Sequence, residues 1–169
     1  LDLRAAPGAN PSDLVRMQVG GRRPGCEHRG MRLDDLALPA TDTADRALWV
    51  VTTFASPALA HHSVRSYLWA AAYGDAHGIA YDAELLYVSA MLHDIGLVAS
   101  FDSHAVPFER AGGDVARVFA AGAGWAPERG VRAAEVIERH MWDSVDPEVD
   151  PEGFLLEIAT GLDISGRNA

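Results

Sequence analysis

At 169 residues the chain suits one domain that is large enough to bury a real core. Its 49% apolar content excludes wholesale disorder, and no run approaches the ~18 apolar residues needed to cross a bilayer. The net charge is −10 and all 14 basic residues are arginines. That balance excludes lysine Schiff-base and P-loop lysine chemistry, and it argues against nucleic acid and anionic membranes as partners.

A small-molecule substrate is therefore expected, with oligomeric state unreadable. The single Cys26 excludes an internal disulfide framework and fits a reducing cytoplasm. Nothing resembles a signal peptide. The chain opens on Leu1 and stops six residues after Asp163, so a preceding piece and further closing helices are expected.

Residues 1–39, rich in Gly, Pro and Arg, show no sustained period and read as a poorly specified lead segment. Cys26 and His28 there look like a ligand pair but have no partners nearby, and a surface loop is the better reading. From residue 40 the chain reads as one helical domain. "TDTADRALWVVTTFA" offers Thr41 or Asp42 as N-cap, with Leu48, Val51 and Phe54 at helical spacing.

"SPALAHHSVRSYLWAAAYGDAHG" has Ser56 as cap, Pro57 at the first helical position and a stop near Gly78. "YDAELLYVSAMLHDIG" starts at Asp82 and is expected to run to Gly96. Further helices start at Pro107, at Pro127 and at Pro151, the last capped by Asp150, with Phe154, Leu155, Ile158 and Leu162 as its buried stripe. "GAGWAPERG" has the glycines of a phosphate loop but no preceding strand, and it reads as an interhelical turn. No segment alternates at period two. The fold class is all-α.

His62, the pair His93–Asp94, His140 and Asp163 each fall on a different predicted helix within an otherwise apolar turn. A buried carboxylate such as Asp163 needs a partner, and helical bundles build metal sites from inward side chains on facing helices. Two imidazoles and two carboxylates suit zinc, manganese or ferrous iron, and water on such an ion becomes hydroxide near neutral pH. Adjacent residues of a regular helix point ~100° apart. His93 and Asp94 therefore reach one ion best where the helix breaks, and Gly96 is expected to supply that break.

The order H…HD…D over several helices resembles the HD-domain superfamily of metal-dependent hydrolases. "SPALAHHSVRSYLWA", "YDAELLYVSAMLHDIGL", "FERAGGDVA" and "TGLDISG" look like its cyanamide hydratase-like branch, from about residue 36 to the end. The resemblance implies an HD-type helical bundle with a metal site in its core, and His62, His93, Asp94 and Asp163 as the metal ligands. His62, rather than His61, matches the family's His-Ser-x-Arg-x-Tyr block, which also holds Arg65 and Tyr67.

Binuclear relatives add two histidines. Phe108 stands where one would be, while His140 stands at the place of the other, so one divalent ion is expected, zinc first, with manganese or iron as alternatives. That departure speaks against di-iron oxygenase chemistry. His140, Glu109 and Arg65 are then the candidate catalytic residues, with His104 a weaker one. Arg65 lies one turn from His62, either as an anion or carbonyl clamp or as one half of an interhelical salt bridge.

Three functions are open. The first is a hydratase or hydrolase whose metal-bound hydroxide attacks a small uncharged molecule, such as a nitrile; cyanamide would give urea. The second is a phosphohydrolase acting on a nucleotide or another phosphomonoester, which needs arginines such as Arg65, Arg110 or Arg139 turned towards the ion. The third is a binding module with a structural metal, which an intact ligand set disfavours.

Overall fold

The computed structural model describes residues 38–166, so Cys26, His28 and almost all of the lead segment lie outside the described residues. Six α-helices follow in order: α1 Asp42–Phe54, α2 Pro57–His77, α3 Ala83–Leu92, α4 Phe108–Gly122, α5 Pro127–Arg139 and α6 Pro151–Ser165. A 3-10 turn, Ile95–Leu97, follows α3, and no strand occurs among the described residues. The all-α expectation holds.

Local chemistry starts four of these helices. The side chains of Thr41, Ser56, Asp82 and Asp150 accept the backbone N–H of Ala44, Leu59, Leu85 and Gly153 respectively. Each satisfies one of the amide donors that a helix start leaves without a partner. At the other ends, Gly78 (φ 66°) and Gly166 (φ 67°) close α2 and α6 in the left-handed conformation that glycine adopts without strain. "GAGWAPERG" is the turn between α4 and α5, with Gly124 at φ 79°.

Helix α3 is the axis of the bundle. Every residue from Leu85 to Leu92 is buried, and α3 contacts the other five helices. That is why it reads apolar all round rather than on one face. Helices α4 and α5 pack against one another on one flank, and α2 packs on α6 on the other. On α6 the deepest residues are Leu155, Leu156 and Ala159, while Phe154 and Leu162 are half-buried. Leu155 and Ile158 of the expected stripe are buried, and Leu156 and Ala159 join them in place of Phe154 and Leu162, because α6 meets α2 and α5 together rather than a single neighbour.

An ion network ties the helix starts. Arg129 on α5 bridges the Asp82 cap and Glu84 (3.1 Å), and Glu84 accepts the Thr41 hydroxyl at 2.6 Å. Arg132 reaches both Asp150 and Glu152 (2.8 Å), Arg139 reaches Asp150 at 2.6 Å, and Glu152 accepts the Asp82 amide at 2.8 Å. Arginines of α5 thus clamp the N-termini of α3 and α6, and Glu84 of α3 ties in the N-terminus of α1.

Candidate metal centre

The C-termini of α3 and α5 carry the chemistry. Helix α3 ends at Leu92. His93 keeps helical angles (φ −59°, ψ −36°), and Asp94 leaves them for φ −103°, ψ 9°. This sparsely populated conformation turns the carboxylate onto the same side as the preceding imidazole. The break therefore comes before Gly96, which is not among the positive-φ glycines, contrary to the expectation that Gly96 supplies it.

Gly96 serves close approach instead. A Cβ there would lie 2.1 Å from the Phe108 carbonyl oxygen, and one at Gly112 would lie 3.0 Å from the His93 carbonyl oxygen. Two hydrogen side chains let α4 press directly on the doublet.

His62, in the second turn of α2, completes a buried group. Its Nε2 lies 3.1 Å from Nε2 of His93 and 3.6 Å from Oδ2 of Asp94, and His93 Nε2 lies 3.3 Å from that same oxygen. One ligand atom from each of the three residues falls within 4.8 Å of the others. His140, at the end of α5, stands just behind. Its ring centroid is 4.9 Å from that of His93, and its Nε2 is 3.9 Å from Asp94 Oδ1.

The hydrogen-bond partners fix the tautomers. Nδ1 of His93 meets the Ala90 carbonyl at 2.8 Å, Nδ1 of His140 meets the Ile137 carbonyl, and Nδ1 of His62 meets Asp163 Oδ2 at 2.7 Å. Carbonyls and carboxylates only accept, so each neutral imidazole carries its proton on Nδ1 and turns a bare Nε2 inwards. Three nitrogen lone pairs and a carboxylate converge with no donor among them. Such a group needs a cation, and imidazole with carboxylate is the donor set of zinc, manganese and ferrous iron.

Burial raises the Asp94 carboxyl, but a hydrogen bond from His93 and then the positive charge that His93, His140 and His62 carry when protonated outweigh it, so without a cation a proton on these rings plays the part beside the carboxylate that a metal ion would play. Burial, helped by the neighbouring His93, pushes His140 down to about 4 against the Ile137 carbonyl and Asp94, so its ring is uncharged at neutral pH.

The remaining expected site residues are placed as follows. Asp163 stands on the Nδ1 side of His62, away from the bare nitrogens, and is gripped by Arg65 through Nε (2.7 Å) and Nη2 (2.9 Å). Burial would raise its carboxyl, but the Arg65 and His62 hydrogen bonds hold it low. Arg65 is thus one half of an interhelical salt bridge. Tyr67 is buried against Tyr87.

Glu109 is half-buried in the first turn of α4 and makes no hydrogen bond or ion pair among the described residues. His104 is an exposed loop residue at φ 55°, paired with Asp102, and is not brought to the cluster. Phe108 faces His140 edge-on at 5.9 Å between centroids. The Ala90 and Ile137 carbonyls and Gly112 could not be read from sequence, since nothing in their residue types marks them.

A family model described as HD domain matches residues 59–159, well over half of the chain. The chain belongs to the HD-domain family. The matched stretch contains His62, His93, Asp94 and His140 and ends before Asp163. HD domains are generally metal-dependent hydrolases and bind divalent metal, which agrees with the donor set assembled here. No curated protein matches the chain significantly. No helix among the described residues is long and apolar enough to cross a membrane.

Proposed function

We propose that the protein is a metal-dependent hydratase or hydrolase of the cyanamide hydratase-like kind, acting on a small, largely uncharged molecule such as a nitrile. The observation that carries this is the convergence of bare Nε2 atoms on Asp94, together with the commitment of Arg65 and Arg139 to carboxylates. His62, His93 and Asp94 would hold one divalent ion, with zinc the expected metal. When bound, the ion would polarise water into a nucleophile near neutral pH and act as a Lewis acid.

The residues of the chain supply the rest. His140 offers an acceptor nitrogen at Nε2, because its Nδ1 proton is held by the Ile137 carbonyl. It takes a proton from the attacking water and returns it to the nitrogen of the substrate. Water oxygen bonds to the nitrile carbon, one C–N π bond opens, and both water protons end on nitrogen after tautomerisation. The product is an amide, or urea from cyanamide. Phe108 and the α4 backbone close the cluster on the His140 side and limit the water that reaches it.

Phosphomonoester hydrolysis needs guanidinium groups for the non-bridging oxygens. Arg65 binds Asp163, and Arg139 binds Asp150 and Glu135. Arg110, exposed beside Glu109 and without an ion pair among the described residues, is the observation that favours this second reading. The test is to incubate protein loaded with zinc or manganese with cyanamide and simple nitriles, and separately with phosphomonoesters. Amide or urea formation that disappears in Asp94→Ala supports the proposal. Phosphate release alone selects the second reading, and no turnover of either class despite bound metal rejects both.

A further inference from the structure

We infer that Glu109 is a substrate-binding residue at the rim of the metal centre, and that it selects substrates carrying an N–H donor beside the electrophilic carbon, as the amino group of cyanamide does. This rests on the hydration reading of the cluster and adds a residue which that reading leaves unused. Glu109 lies in the first turn of α4, directly after Phe108. It is half-buried and makes no hydrogen bond or ion pair among the described residues.

Helical spacing fixes its direction. Glu109 precedes Gly112, Gly113 and Ala116 by three, four and seven residues, so the four share one face of α4. That face packs inwards. A Cβ on Gly112 would lie 3.0 Å from the His93 carbonyl oxygen and 3.5 Å from Ile137, and one on Gly113 would lie 3.3 Å from both Ala134 and Glu138. A Cβ on Gly130 would lie 3.1 Å from Ala120, so α4 and α5 run antiparallel. One turn back along α4 is therefore one turn on along α5, from the Ala134–Glu138 row to the His140–Trp142 end. Helical side chains lean towards their own N-terminus, which carries the Glu109 carboxylate further that way.

This is also where the cluster meets solvent. Asp94 and His140 keep 8% and 6% exposure while His93 has none, so solvent reaches the cluster from the ends of α3 and α5. An ionised carboxylate only accepts hydrogen bonds. Left without a donor by the protein, at the edge of a site whose inward ring nitrogens also accept, Glu109 suits a substrate that brings N–H groups. Glu138, which Arg117 approaches only to 4.0 Å, adds negative charge on the same α4–α5 edge. That sign favours neutral or cationic nitrogen compounds over a phosphomonoester dianion.

The test compares two nitriles on zinc-loaded protein: cyanamide, which has an amino group, and acetonitrile, which has none. The ratio of kcat/KM for cyanamide to that for acetonitrile should fall at least ~10-fold in Glu109→Gln and Glu109→Ala, chiefly through KM for cyanamide, because a hydrogen bond to a charged acceptor is lost. Asp114→Asn removes an acid from the exposed side of α4 and should keep the wild-type ratio. Metal content should match wild type in all three variants. Calorimetric titration with acetamidinium, a cation with N–H donors and no nitrile, reads the same contact without turnover. Wild type should bind it, and Glu109→Gln should bind it at least ~10-fold more weakly.

A wild-type ratio in both Glu109 variants overturns the inference and leaves the hydration reading standing. So does an equal fall in Asp114→Asn, which marks a general effect of charge, or loss of metal in Glu109→Gln, which makes the residue part of the metal centre. If wild type turns over neither nitrile, the hydration reading fails and the acetamidinium titration decides the role of Glu109. No binding by wild type, or equal binding by wild type and Glu109→Gln, then overturns it.

Discussion

Alanine at Gly96 should both destabilise the fold and empty the metal site. The added Cβ would sit 2.1 Å from the Phe108 carbonyl oxygen, 2.9 Å from its carbonyl carbon and 3.1 Å from the Gly112 nitrogen. Comfortable contacts between heavy atoms begin at ~3.5 Å, so the start of α4 must retreat by more than ~1 Å. All three atoms are backbone, and no side-chain rotation relieves the clash. The cost should reach about 3 kcal/mol, the upper end for overpacking a close-packed interior. For a domain of this size that lowers Tm by roughly 6–12 °C.

The same retreat moves Phe108 away from His140 and loosens the Gly112 contact with the His93 carbonyl, so metal affinity should fall with stability. Thermal melting by circular dichroism, alongside metal content by elemental mass spectrometry, measures both effects. Gly124→Ala is the control. Its Cβ meets open space, and only the left-handed backbone at φ 79° is strained, at about 1 kcal/mol with metal unchanged. A Gly96→Ala protein that melts with wild type and keeps its metal would refute the close approach of α4 to the doublet.

Three further outcomes are expected. Asp150→Asn should cost about 3 kcal/mol, the low end for breaking a buried ion pair, because Arg132 and Arg139 remain about a quarter exposed; urea denaturation measures it, and a loss under ~0.5 kcal/mol, as at an ordinary surface site, would refute it. Burial opposes ionisation of Asp150, but Arg132, Arg139 and the Gly153 amide hold its carboxyl below the usual range. Asp82 is held low chiefly by Arg129. Both groups stabilise the fold fully above the unfolded carboxyl value near ~3.9 and lose that stabilisation as pH falls through their lower folded values. The urea midpoint should thus drop below about pH 4 in wild type, and by less in Asp150→Asn; equal slopes for the two proteins would count against the network. His140→Ala should keep the metal and lose turnover, and metal loss there would mean that the centre includes His140.

Much of the molecule was legible from sequence because helix starts are local hydrogen-bonding events. Thr41, Ser56, Asp82 and Asp150 each satisfy an amide three residues away, and Gly78 and Gly166 each stop a helix by their own backbone freedom. The same holds for the four-helix scatter of His62, His93–Asp94, His140 and Asp163, since inward polar residues in apolar turns stand out without coordinates.

Tertiary structure alone decided which nitrogen of His62 faces inwards, that Asp163 meets that ring from outside, and that Arg65 is bound to a carboxylate. Those facts depend on contacts between residues 98 and 101 positions apart, made where α2 lies on α6. Gly96 shows the same division within three residues of the doublet. Its identity was conspicuous in the sequence, yet its reason lies in the Phe108 carbonyl of α4, which only the packing of two helices brings against it.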